Sequence, residues 1–148
     1  MKVEPVSIEV TLENGLTMRG YEWPMRGAPV ILLHDYDDDL DAWREIDQEL
    51  AEKSFRVINL ELRGHGFSDG EPDRDLLLSD VQELLKELGT VWGPIGLCTY
   101  GSISATLCSI GSPFLPKVHI AASPLLDPTT KGITQQVVDA SYLVISGA

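Results

Sequence analysis

The stretch PIGLCTYGSISATLCSI, residues 94–110, decides the fold of this chain. A short apolar run through Leu97 leads into a corner of threonine, tyrosine and glycine, and small residues of helical character follow it. This order predicts a strand, a sharp turn and a helix. A turn of this kind lifts one side chain above the end of a sheet, where it can serve as a nucleophile.

Two residues compete for the apex of this predicted nucleophile elbow, because the turn needs small residues two positions before and two positions after it. Cys98 has Gly96 two positions before it, and Thr99 has Gly101 two positions after it. Cys98 is the first choice, since a thiolate at a helix N-terminus has a lowered pKa and is the reactive form of cysteine. Thr99 is the alternative, and a small buried residue is an equally good interpretation of Cys98.

Composition excludes several classes of protein. The chain has 148 residues, the length of one domain, and a formal net charge of −12, which disfavours a nucleic-acid partner. It contains no apolar run near the roughly 20 residues of a membrane span, and its first residues lack the apolar core of a signal peptide.

Cys98 and Cys108 would lie about 15 Å apart on one helix, too far for a disulfide. Free thiols predict a cytoplasmic protein.

Hydrophobic periodicity predicts alternating strands and helices. Residues 6–12 and 16–23 alternate around a turn and predict a hairpin. Continuous apolar runs predict buried strands at 30–33, 56–62, 118–122 and 142–145. Two helical stripes separate them: Leu40, Trp43, Ile46 and Leu50, then Leu77, Val81, Leu84, Leu85 and Leu88, closed near Gly89. The pattern predicts a three-layer α/β sandwich with a mostly parallel sheet and an N-terminal antiparallel hairpin.

Four segments together resemble the α/β-hydrolase fold family, particularly its small esterase, monoacylglycerol lipase and dienelactone hydrolase branches. They are VILLHDYDDDLDAW at 30–43, ELAEKSFRVINLELRGHGFSDG at 49–70, IGLCTYGS at 95–102 and SYLVISGA at 141–148. The resemblance implies the sheet order 1-2-4-3-5-6-7 with strand two antiparallel. It also implies a hydrolase of small carboxylic esters, lactones or thioesters that needs neither cofactor nor metal.

The resemblance suggests roles for further residues. The backbone N–H groups of Tyr36 and of Thr99, the residue after Cys98, would hold the oxyanion. The resemblance implies that His34 and His65 mainly organise loops by hydrogen bonds, although either, at the carboxyl end of a predicted strand, is an alternative base for Cys98. Asp127 follows the sixth strand, where a minority of the family place the acid, and a turn residue before Pro128 is the other interpretation.

The chain also departs from the family pattern. The family's usual acid and histidine follow strands seven and eight, beyond Ala148, and Asp35 replaces the usual glycine after His34. We therefore expect a single domain, 1–148, that lacks the last strand and helix, and a weak or inactive esterase. The alternative function is a binding or assembly module. The apolar strand Tyr142–Ile145 would form an exposed edge, so we expect a homodimer that covers it.

Overall fold

The computed structural model describes residues 3–36, 38–93 and 95–103, together with the backbone of 118–122. Its strands are β1 (Val6–Thr11), β2 (Thr17–Trp23), β3 (Pro29–Leu33), β4 (Arg56–Leu60), β5 (Gly96–Tyr100) and β6 (Val118–Ala122). They form one sheet in the order β1-β2-β4-β3-β5-β6. The predicted order is confirmed for these six strands, and the predicted strand Tyr142–Ile145 lies outside the described residues.

The pairing directions also follow the prediction. β1 and β2 form the antiparallel hairpin, and β2 runs antiparallel to β4. β3 runs parallel to both β4 and β5, and β5 runs parallel to β6. The four parallel strands therefore end at one edge of the sheet, which is where ligands bind in open α/β sheets.

The first predicted helix is broken in two. A 3₁₀ turn covers Leu40–Trp43 and helix α1 covers Ile46–Glu52. Glu45, between them, has a φ of 74°, which is incompatible with a continuous right-handed helix. The side chain of Asp39 caps the 3₁₀ turn by accepting a hydrogen bond from the Asp41 N–H.

The second helical prediction is wrong only at its end. A short 3₁₀ turn, Arg74–Leu76, leads into helix α2, Leu77–Trp92. The helix continues past Gly89 and stops at Gly93, whose φ is 75°. The N–H of Gly93 donates to the Gly89 carbonyl, as expected for a left-handed residue that closes a helix.

Alternate residues of the buried strands supply two separate cores, because successive side chains of a strand point to opposite faces. Ile31 and Leu33 pack in the cluster that contains the α2 stripe, and Val30 and Leu32 pack in the cluster that contains Trp43 and the apolar residues of α1. The two predicted helical stripes therefore pack on opposite faces of the sheet. The result is the predicted three-layer α/β sandwich.

Among the described residues, no helix is both long enough and apolar enough to cross a membrane.

Candidate functional site at the carboxyl edge of the sheet

Three segments meet where the parallel strands end. His34 to Tyr36 follow β3, the loop Arg63–Gly66 follows β4, and Gly101 follows β5. Hydrogen bonds and ring contacts between these segments build the candidate site.

The turn after β5 has its apex at Gly101. β5 continues through Tyr100, Gly101 has a φ of 72°, and residues 101–103 are helical. A left-handed backbone costs glycine little and other residues about 1–2 kcal/mol. The predicted strand and turn are present, and the predicted helix is described only over residues 101–103; the apex lies three residues after Cys98 and two after Thr99.

Cys98 lies inside the sheet and not at the turn. Its register partners are Leu32 on one side and Ile120 on the other. It is 1% exposed, and burial raises the pKa of its thiol to about 12. A thiol in this position is protonated at neutral pH and closed to substrate, so the geometry does not support the predicted nucleophile. Thr99, the alternative, is also 1% exposed.

The carboxylate of Asp35 lies at the turn instead. Its Oδ1 accepts hydrogen bonds from the Ser102 hydroxyl (2.7 Å), the Tyr36 N–H (2.9 Å) and the Ile103 N–H (3.2 Å). Its Oδ2 accepts from the Ser102 N–H at 3.0 Å. Burial by itself would raise the pKa of Asp35, but these bonds, led by the Ser102 hydroxyl, outweigh it and hold the pKa below its ordinary value.

The two N–H groups predicted to hold an oxyanion, those of Tyr36 and Thr99, lie in different surroundings. The Tyr36 N–H does point into the site, where it meets Asp35. The N–H of Ser102, the residue after Gly101, also donates to Asp35, whereas Thr99 belongs to β5.

The ring of Tyr36 is fixed from two sides. The Arg74 guanidinium lies over it at 4.4 Å from the ring centre, and the His65 ring lies at 5.7 Å. Its hydroxyl donates to the Asp73 carbonyl at 3.4 Å. These contacts hold the Tyr36 backbone in place beside the turn.

Both ring nitrogens of His34 are occupied. Nε2 accepts a hydrogen bond from the Leu62 N–H at 3.1 Å, and Nδ1 lies 2.7 Å from the Asp35 carbonyl. This pattern assigns the proton to Nδ1. Burial lowers the pKa of His34, in keeping with a neutral imidazole. His34 therefore ties β3 to the loop after β4, and the prediction that it acts as a base is not supported.

His65 also has a structural contact. Its Nδ1 lies 2.9 Å from the Arg63 carbonyl, and its ring centre lies 5.1 Å from that of His34. Within the part of the chain that the structure describes, neither imidazole forms a hydrogen bond with Cys98. The predicted cysteine–histidine pair is thus not assembled in this conformation.

Asp38 and Tyr100 form a second polar contact at the same edge. The Tyr100 hydroxyl donates to Asp38 Oδ2. Burial, followed by this bond, raises the pKa of Tyr100. The described residues contain no group of three or more histidine, cysteine, aspartate or glutamate side chains that could hold a metal ion. Asp127, the predicted acid, and Cys108 lie outside the described residues.

Sequence reasoning missed Ser102 as a participant and treated Asp35 only as a replaced glycine. A signal was available for both. Gly101 is the only glycine between Leu97 and Ile110, so it is the residue best suited to the left-handed turn. With Gly101 at the apex, Ser102 becomes the first residue after it.

Comparison with known proteins agrees with this architecture. A family model described as "alpha/beta hydrolase fold" matches residues 28–91. A soluble epoxide hydrolase of Corynebacterium sp. (strain C12) is 35% identical over 91 residues, which cover 57% of this chain and 31% of that protein. A polyketide transferase, grgF, of Penicillium sp is 29% identical over 136 residues, which cover 82% of this chain and 46% of that protein. The chain thus spans less than half the length of these curated relatives.

Solved structures give the same result for the fold. The epoxide hydrolase VrEH1 from Vigna radiata superposes with a TM-score of 0.64 at 20% identity, over 80% of this chain and 40% of that one. These relatives do not bear on an ester substrate or on a cysteine nucleophile. These matches agree with the described sheet and show that the chain has an α/β-hydrolase fold.

Proposed function

We propose that this chain is a hydrolase-family protein without a working nucleophile at the turn, and that it serves as a binding or assembly module. One observation carries the proposal: the apex of the turn is Gly101, which has no side chain. Nucleophilic catalysis at this turn needs an exposed nucleophile at the apex and a base within hydrogen-bond reach.

The neighbouring residues do not replace the missing side chain. Cys98 is buried within β5, and its pKa is far above neutrality. His34 uses both ring nitrogens in backbone contacts. Loss of a nucleophile or its base removes several orders of magnitude in rate in a triad hydrolase. Hydrolysis at this site is therefore expected to be negligible.

A comparison of the wild type with Cys98→Ala tests the proposal. The expected rate of p-nitrophenyl acetate hydrolysis is the same for both proteins and close to that of buffer. Light scattering on the same samples tests the homodimer expected from the sequence. A fast turnover that Cys98→Ala abolishes would overturn the proposal.

The second candidate function is hydrolysis of small carboxylic esters, lactones or thioesters through Cys98. Two relatives named as epoxide hydrolases favour hydrolysis in general, and the ester-type substrates and the role of Cys98 come from the sequence resemblance. It requires a conformation in which β5 ends earlier and exposes the thiol. The substrate panel should therefore contain a thioester, a lactone and an epoxide beside the acetate ester, and turnover of any of these that depends on Cys98 would favour this function.

A further inference from the structure

The carboxylate of Asp35 fills the space beside the turn. Four donors converge on it, three of them backbone N–H groups and one the Ser102 hydroxyl. They come from two segments, the loop after β3 and the residues after β5. Donors 2.7–3.1 Å from a developing oxyanion are what acyl-transfer catalysis needs. Here the carboxylate of Asp35, a charged group of the protein itself, accepts hydrogen bonds from these donors.

Gly101 and Asp35 are complementary in shape. A Cβ atom built on Gly101 would overlap with Oδ2 and with the carboxyl carbon of Asp35. Any side chain at the apex would therefore have to displace this carboxylate. Conversely, the carboxylate can reach the donors only because the apex residue is glycine.

We infer that Asp35 is an internal occupant of the oxyanion site, standing where a nucleophile side chain would stand and closing the N–H donors to an acyl substrate. This inference deepens the proposed function and rests on it. Under the proposed function the turn lacks a nucleophile. The inference about Asp35 goes further, because it states that the hydrogen-bond donors of the turn are also occupied. An acyl group that approaches the turn would have to break four hydrogen bonds to a carboxylate, and bonds to a charged acceptor are about twice as strong as neutral ones.

A double-mutant cycle on Asp35 and Gly101 tests the inference without relying on activity. Gly101→Ser alone should lower the thermal unfolding midpoint by several degrees, because its side chain meets the Asp35 carboxylate. Asp35→Gly alone should also lower the midpoint, because it removes the acceptor of four hydrogen bonds. In the Gly101→Ser background, Asp35→Gly should instead raise the midpoint, because it makes room for the serine.

This change of sign is the decisive result. Asp35→Asn is the matched control, since it keeps the volume of the side chain and should give Gly101→Ser no relief. Should Gly101→Ser fail to fold, recovery of a folded protein on adding Asp35→Gly is the same result. Additive effects in the cycle, or equal relief by Asp35→Asn, would overturn the inference.

An added carboxylate gives an independent test. In Asp35→Ala the donors lose their acceptor, so sodium acetate should raise the midpoint more than the same concentration of sodium chloride. Asp38→Ala, which removes a carboxylate of the same loop that accepts from Tyr100, should respond alike to both salts. A lack of any acetate-specific rise in Asp35→Ala would contradict the inference. Esterase activity of the wild type through Cys98 would overturn only the proposed function, because the cycle measures stability.

Discussion

The reactivity of Cys98 offers the sharpest quantitative test of the site. Its thiol lies inside β5 with a pKa of about 12. At pH 8 this pKa leaves roughly one thiolate in 10,000, whereas an unperturbed cysteine with a pKa of about 8.5 is roughly one quarter thiolate. The thiolate fraction alone therefore slows alkylation about 2,000-fold.

A second effect opposes the first, because a more basic thiolate is more nucleophilic. With a Brønsted slope of about 0.4–0.5 over a pKa difference of about 3.5, the net retardation falls to about 50-fold. Steric exclusion at 1% exposure adds to this figure, so 50-fold is a lower bound.

The assay is iodoacetamide labelling in a Cys108→Ser background, which leaves Cys98 as the only thiol of the chain. Mass spectrometry gives the rate for the folded protein and for the same protein in urea. The folded protein should react at least about 50-fold more slowly at pH 8, and its rate should keep rising about tenfold per pH unit up to pH 9.5. Folded and unfolded rates within fivefold of each other would refute the reasoning and restore Cys98 as a candidate nucleophile.

Two further predictions concern charge and backbone. The lowered pKa of Asp35 contributes stability that is present above its unfolded pKa of about 3.9 and is lost as the pH falls through the folded value. The difference in thermal midpoint between wild type and Asp35→Asn should therefore shrink below about pH 4. A difference that does not change between pH 7 and pH 3 would contradict this. Gly66→Ala should destabilise the protein by more than about 1 kcal/mol, because Gly66 has a φ of 53° and its added Cβ would overlap with the Glu61 carboxylate. Gly89→Ala is the matched control, because Gly89 lies in α2 with open space around it. This variant should raise the free energy of unfolding, measured in urea, by about 0.4–1 kcal/mol. Equal losses of stability for both variants would count against the argument.

The fold could be predicted from the sequence because its signals are local and redundant. Apolar runs mark β3 and β4 to within two residues, and Val118–Ala122 is a strand with the predicted bounds. Helix ends were less accessible, since Gly89 and Gly93 are both plausible stops. The choice depends on which glycine adopts a left-handed backbone, and that is Gly93.

The site could be predicted only in part, because the position of the apex depends on strand pairing. The spacing of the glycines allowed two positions for the apex of the turn, Cys98 and Thr99. In the sheet, Cys98 pairs with a residue on each of the two neighbouring strands, β3 and β6, and the pairing of β5 with β6 continues to Tyr100. Each paired residue is held in extended conformation, so the chain cannot turn before Gly101. This constraint comes from residues far away in the sequence, and the local pointer to it is that Gly101 is the only glycine between Leu97 and Ile110.

The glycine apex at Gly101 and the presence of Asp35 in place of the usual glycine are best understood as one change. A turn with a glycine apex would leave the N–H groups of Tyr36, Ser102 and Ile103 without the acceptor that a substrate supplies. A buried donor without a partner costs about 1–3 kcal/mol, a cost that bears on the partly buried Tyr36 and Ile103 N–H groups and not on the exposed Ser102 N–H, which can bond to water. Asp35, in the place of the usual glycine, supplies that acceptor from within the chain. Under the proposed function, donors that would stabilise a transition state in a hydrolase instead stabilise the folded protein, so the architecture of the site can persist without a nucleophile.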